Sequence, residues 1–233
     1  MRLTRQHVAR VHRAIDDPGP MERQKLVPKD WFTSTARAIR AELCPGEPLW
    51  VFAFGSLIWR SPIEFSGRRV GLVRGWHREF CLGWDTRYRG NPEQPGLMLS
   101  LDRGGSCKGV ALKIEAERLD PDLVTLLERE PPITPRWVSV ITQDGPLRAI
   151  AFVCARNYPG YVGGLSTEEI ADRLAVAVGF WGTMAEYLRN TVEHLEELGL
   201  HDRHLWRMQE MVAERIEGLA GAEGTVGSTL SRP

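Results

Sequence analysis

The chain has 233 residues, and its 30 Lys+Arg are matched by 30 Asp+Glu, so no charge excess favours nucleic acid or an anionic membrane as partner. Hydrophobic residues make up 42%, enough for a sizeable core and for one domain with appended helices. No stretch approaches the ~20 apolar residues of a membrane-spanning helix.

Residues 1–47 are predicted to form a helical N-terminal extension. Arg2, Arg5, Arg10 and Arg13 interrupt the stretch that would be apolar in a signal peptide. Val8, Val11 and Ile15, and later Ala36, Ile39 and Leu43, fall at helical spacing on either side of a break at Asp16-Asp17-Pro18-Gly19-Pro20. Cys44, Cys81, Cys107 and Cys154 lie far apart with no C-x-x-C pair, which predicts free thiols and a cytoplasmic location.

From residue 48 the pattern changes. Leu49 to Phe54 is a short apolar run of strand formers closed by Gly55-Ser56. Further strands are predicted over 69–72, 78–82, 96–101, 107–114, 137–142 and 148–155. Turn signals at Gly90-Asn91-Pro92, Asp102 to Gly105 and Asp144-Gly145-Pro146 separate several of them. Short strands at this spacing predict a small curved or barrel-like mixed β-sheet. Residues 160–220 contain no proline and read as helices, starting from the capping box Ser166 to Glu169. The expected architecture is therefore α+β: the extension, a single domain over 48–220 with flanking helices, and a flexible tail over 221–233.

Inside the strand-rich zone one helix carries a carboxylate on its apolar face. Asp120-Pro121 resembles a helix start, with an acid at the cap and proline at the first position. Leu123, Leu126, Leu127 and Glu130 then follow at i, i+3, i+4 and i+7, on one face, while Glu128 and Arg129 are expected to face water. Pro131-Pro132 stops the helix. Burial and the negative end of the helix dipole would both raise the pKa of Glu130 and make it a usable general base and acid near neutral pH. The plain alternative is a frayed helix end paired with Arg136.

The Gly55-Ser56-Leu57 turn can cradle an anion with its backbone N–H groups, or it can be an ordinary turn. No His-Asp pattern accompanies Ser56, so it is not read as a serine nucleophile. Trp59, Trp76 and Trp84 are read as core residues. His194, His201 and His204 form no metal-ligand set, with His201 and His204 expected at the surface. Neither a metal nor a cofactor is expected.

Taken together, Trp50 to Trp59 strongly resemble the characteristic turn of ChaC-type γ-glutamylcyclotransferases, and Leu126 to Glu130 that family's helix ending in Arg-Glu. Gly75 to Phe80, Asp85 to Gly90, Gly109-Val110-Ala111, Asn157 to Gly163 and Glu186-Tyr187-Leu188 resemble its other motifs in order, so the likeness spans roughly 48–218. The family usually has tyrosine where this chain has Phe54, and its catalytic glutamate is not usually followed by two prolines.

The resemblance implies a γ-glutamylcyclotransferase-like fold and a small-molecule substrate, glutathione, which is cleaved to 5-oxoproline and Cys-Gly. It implies Glu130 as acid/base. Phe54, Gly55, Ser56 and Leu57 are the expected substrate-binding turn, and Tyr187 is either a pocket residue or a packed core tyrosine. Arg87 and Arg89 either pair with the substrate's glycine carboxylate or are solvated. Two rival functions are a cyclotransferase for other γ-glutamyl amines or dipeptides, and a catalytically silent binding module of the same fold.

Overall fold

The first strand has a hydrogen-bonded neighbour on each edge, and four of its five residues are buried. The computed structural model describes residues 1–226, with side chains described as far as Leu219. In it, β1 (Leu49–Ala53) keeps Leu49, Val51, Phe52 and Ala53 at 0–1% exposure. With β2 (Gly67–Asp85), β3 (Gly96–Ile114), β4 (Arg136–Thr142) and β5 (Gly145–Ala151) it closes a barrel in the order β1-β3-β2-β4-β5. The β1–β5 pair is parallel, with Val51 opposite Ile150, and β1–β3, β2–β4 and β4–β5 are antiparallel. The α+β barrel expectation holds.

Two pairs of expected strands are each one long strand. Residues 69–72 and 78–82 both lie in β2, and 96–101 and 107–114 both lie in β3. Glycines read as turn signals instead bend a continuing strand: Gly104 and Gly105 adopt φ of 105° and 65°, which a side-chain-bearing residue would resist. By contrast Gln143-Asp144 is a true hairpin turn, with Thr142 opposite Gly145.

The helices are α1 (Arg5–Val11), α2 (Glu22–Lys25), α3 (Trp31–Ala41), α4 (Leu119–Arg129), α5 (Thr167–Val176), α6 (Met184–Glu197) and α7 (Arg203–Val226). The pair β6 (Val178–Gly179) and β7 (Gly182–Thr183) forms a short hairpin. Among the described residues, no helix is long and apolar enough to cross a membrane. Helix α1 ends at Val11, so Ile15 is not on it, and an extended strap from His12 to Met21 follows. Helix α4 starts at Leu119, one residue before the expected acid cap, which places Pro121 third in the helix. That position still lies in the first turn, where a missing N–H costs no helical bond. Helix α7 runs on through residues 221–226, part of the expected tail, and the rest of that tail (227–233) lies outside the described residues.

Two compact units share the chain. One contains β1, β4, β5 and most of β2 and β3, and comprises Pro20–Cys81 and Leu99–Tyr161. The other is helical and comprises Met1–Gly19, Leu82–Met98 and the chain from Val162 onward. In the helical unit α5, α6 and α7 pack on one another, and α1 packs on α6 and α7. Leu3, fully buried, anchors the N-terminus there, with its N–H donating to Gln209 at 2.8 Å. Ser166 caps α5 in the expected capping box. Of the three tryptophans read as core, Trp59 and Trp76 are half-buried and Trp84 is 40% exposed beneath the Arg173 guanidinium. An indole can keep one face wet when a cation covers it.

Candidate active site

Strand register places the start of β4 at the end of the barrel where β1 leaves the sheet. Val51 lies beside Ile150, so the last residue of β5, Ala151, stands at the level of Phe52. Arg136 opens β4 opposite Ala151. The segment that delivers the chain to Arg136 starts at Glu130, where α4 stops, and at the same barrel end β1 runs on into the Gly55-Ser56 turn.

Glu130 is the C-terminal cap of α4, with extended backbone (φ −80°, ψ 162°) and its N–H still donating to Leu126 O at 3.1 Å. Leu123, Leu126 and Leu127 on the same face are fully buried. The Glu130 side chain is only 13% exposed and is paired with Arg129. Arg129 does not face water as expected, since it too is only 15% exposed and folds onto the carboxylate. Arg136 is not the pairing residue that the plain alternative required. Burial pushes the Glu130 carboxyl above the usual glutamate range, and the Arg129 charge and hydrogen bond pull against that shift without cancelling it. The result is a carboxylate that holds a proton more readily than a solvated one and is steered by a single cation.

The turn after β1 is a short 3₁₀ segment, Ser56–Ile58, with Phe54, Gly55 and Leu57 buried and Ser56 half-buried. Its internal bonds begin with Ile58 N–H donating to Gly55 O at 3.0 Å, so the N–H groups of Ser56 and Leu57 precede its ladder. Behind the turn lies a residue that the sequence did not reveal. Arg78, buried on β2, donates from Nε to Phe54 O at 2.6 Å and from Nη2 to Lys108 O, tying β1, β2 and β3 together at this end. Close approach completes the tie: a Cβ on Gly109 would lie 2.5 Å from Ala53 O.

A second unforeseen group joins Asp102 of β3 to Arg156 and Tyr161, which follow β5. Asp102, 6% exposed, accepts from Arg156 Nε and Nη2 at 3.1 Å each and from the Tyr161 hydroxyl at 3.0 Å. Burial alone would raise its pKa, but Arg156, the Arg103 N–H and Tyr161 together hold it below the ordinary carboxylate range. It is a settled anion, unlike Glu130. Among the described residues, no three His, Cys, Asp or Glu side chains gather as a metal site would need.

Arg87, Arg89 and Tyr187 belong to the helical unit. The fully buried Asp85 carboxylate accepts the N–H groups of Arg87, Tyr88 and Arg89 at 2.9–3.0 Å and so shapes the loop that carries both arginines. Gly90 is needed there, because a Cβ would meet Gly96 N at 2.1 Å and Asp85 O at 2.2 Å. Arg89, 3% exposed, pairs with the Glu186 carboxylate, donates to Thr183 O at 3.1 Å and lies over the Tyr187 ring. Tyr187 is 3% exposed on α6. The Arg87 guanidinium pairs with Asp17. His201 is exposed and pairs with Glu196, and His204 is half-buried.

Residues 49–215 match the family of ChaC-like proteins. The chain is 39% identical over 160 residues to the glutathione-specific γ-glutamylcyclotransferase of Escherichia coli (strain K12), covering 66% of this chain and 68% of that protein. It is 36% identical over 183 residues to glutathione-specific γ-glutamylcyclotransferase 1 of Homo sapiens, covering 73% and 82% respectively. Among solved structures, the γ-glutamyl cyclotransferase specific to glutathione from yeast superposes with a TM-score of 0.67 at 21% identity, covering 72% of this chain and 96% of that one. That likeness concerns the fold.

Proposed function

The chain belongs to the ChaC-like protein family, and from that premise we propose that it cleaves glutathione to 5-oxoproline and Cys-Gly, with Glu130 as the acid/base. The observation that carries the reading is a largely buried carboxylate of raised pKa, at the end of the helix that leads into β4. Relatives in Escherichia coli and Homo sapiens bear the name of this activity.

The chemistry needs little more than this. The substrate's own α-amine attacks the γ-carbonyl carbon, forming the ring C–N bond, and the bond to the cysteine nitrogen then breaks. Attack within one molecule replaces an encounter between two, so the protein supplies no nucleophile. It must fold the glutamyl chain, remove a proton from the ammonium, stabilise the oxyanion and protonate the leaving nitrogen. Ionised Glu130 takes one ammonium proton and delivers it to the leaving nitrogen, and the second proton, lost as the attacking nitrogen becomes the ring N–H, ends on the released amine by way of solvent. The N–H groups of the Phe54 to Leu57 turn receive the glutamyl carboxylate or the developing oxyanion. The phenol usual in the family is replaced by Phe54, so the turn acts here through its backbone.

Incubation with glutathione is expected to release 5-oxoproline and Cys-Gly in equal amounts. N-acetylated glutathione, whose nitrogen is no longer a nucleophile, should be inert, and its turnover would refute the cyclisation. The substrate preference is read from kcat/KM for glutathione, γ-Glu-Cys and γ-Glu-Ala. A charge-assisted hydrogen bond to the glycine carboxylate is worth ~1.5–3 kcal/mol, so the two dipeptides should be about ten- to a hundredfold poorer. Equal values would leave a cyclotransferase of broader substrate range.

A further inference from the structure

Strand β3 offers pairing positions that β1 does not take. The ladder between them stops at Ala53 opposite Val110, yet β3 is unbroken through Lys108. Carried on in the same register, Gly55 would stand opposite Lys108. The Lys108 carbonyl is engaged otherwise. It accepts from Nη2 of Arg78, whose Nε donates to Phe54 O at 2.6 Å. Nε and Nη2 form one edge of a planar guanidinium, so a single rigid fork holds a carbonyl of β3 and the last carbonyl before the turn. Arg78 is only 5% exposed on β2, which fixes the fork in place. Arg78, Lys108 and the turn all belong to the barrel unit.

The consequence for the turn follows from the planarity of the peptide unit. The C=O and N–H of a trans peptide point in opposite directions. With Phe54 O drawn toward Arg78, the Gly55 N–H faces away from it. The next N–H groups, of Ser56 and Leu57, precede the first bond of the 3₁₀ segment. Among the described residues, none of these three N–H groups has an acceptor in the chain. Buried backbone donors are rarely left unmet, and three in succession suit an anion.

We propose that Arg78 is the positioning residue of the substrate-binding turn. Its fork stops β1 from pairing past Ala53 and presents the Gly55, Ser56 and Leu57 N–H groups to the glutamyl carboxylate. This rests on the reading of the chain as a glutathione cyclotransferase and deepens it at one end of the substrate. Arg78 acts through the turn and touches no substrate itself. The glutamyl carboxylate carries its charge from binding to product release, so a well-held turn lowers KM and leaves kcat alone.

Steady-state kinetics with glutathione on the full chain test this. Arg78→Lys keeps a cation but replaces the two-nitrogen edge with one ammonium. Its KM should rise at least about fivefold with kcat within about threefold. The inhibition constant of 5-oxoproline, which retains the glutamyl carboxylate, should rise in step. Arg78→Met leaves both carbonyls without the fork and should raise KM by about ten- to a hundredfold, the weight of one charge-assisted hydrogen bond. Val140→Ala separates positioning from instability. It truncates a fully buried residue of β4 in the same unit, so it should lower Tm without moving KM. Unchanged KM in Arg78→Lys, a fall in kcat at constant KM, inhibition by 5-oxoproline that does not weaken, or an equal rise of KM in Val140→Ala would each overturn the proposal. Absence of 5-oxoproline release from the unsubstituted protein would overturn the cyclotransferase reading together with it.

Discussion

Two opposed influences meet at Glu130. Burial raises its pKa, and Arg129 lowers it by charge and hydrogen bond. In the account above the ionised carboxylate is the active form, so the acid limb of kcat/KM should lie above the ordinary glutamate range. Arg129→Gln removes the opposing cation, and the limb should move to still higher pH. A limb that stays put or moves down would show that another group titrates there. The stability sign follows from the same shift. A carboxyl raised in the fold contributes stability that is fully present below the unfolded glutamate value and lost as pH rises through the folded value. Glu130→Gln cannot ionise, so its Tm at pH 7 should be no lower than that of the unsubstituted protein. The sequence located Glu130 because helical period is local and three leucines mark the face. It misplaced Arg129, because a long side chain beside a helix end follows the nearest charge rather than the period. Arg78 was invisible for a different reason: its partners, Phe54 O and Lys108 O, are 24 and 30 residues away and are backbone atoms of any residue type.

At the level of elements, the alternation of apolar and turn residues was enough to place β1, β4, β5 and the capped α5. It failed where glycine does not end a strand. Gly75, with φ 81°, lies inside β2, and Gly104 and Gly105 lie inside β3, so local pattern splits both strands at bends that pairing carries through. Gly109 has a different task, namely close approach. A methyl group there would sit 2.5 Å from Ala53 O and 2.6 Å from the Phe52 ring, at the point where β1 hands over to the glycine-serine turn. Gly109→Ala should therefore lower stability by ~1–3 kcal/mol in denaturant unfolding, as overpacking does, and should reduce kcat as well. Unaltered unfolding would mean that β1 and β3 can part more easily than their register implies.

Across the whole chain, sequence order and spatial grouping diverge. The chain passes between the two units four times, and neither unit is a continuous segment. The region ahead of Leu49, read as an appended helical extension, is divided between them at Gly19. Its first residues belong to the core of the helical unit: Leu3 is fully buried, Arg2 pairs with Glu214 and Glu217, and His7 with Glu217. Contacts spanning about two hundred positions leave no local trace, which is why helical spacing alone described this region as an appendage. Leu3→Ala should lower unfolding stability by ~2–5 kcal/mol, the usual consequence of truncating a buried leucine. An effect below ~0.5 kcal/mol, typical of a surface substitution, would return residues 1–11 to the status of an appendage. The central claim, that one buried carboxylate moves the proton while the substrate attacks itself, is tested most directly by 5-oxoproline release from glutathione, comparing Glu130→Gln with the unsubstituted protein. The account predicts a fall in kcat/KM of at least ~100-fold with the fold intact, because general acid–base transfer supplies roughly that much. Retention of more than about a tenth of kcat/KM by a folded Glu130→Gln protein would contradict it.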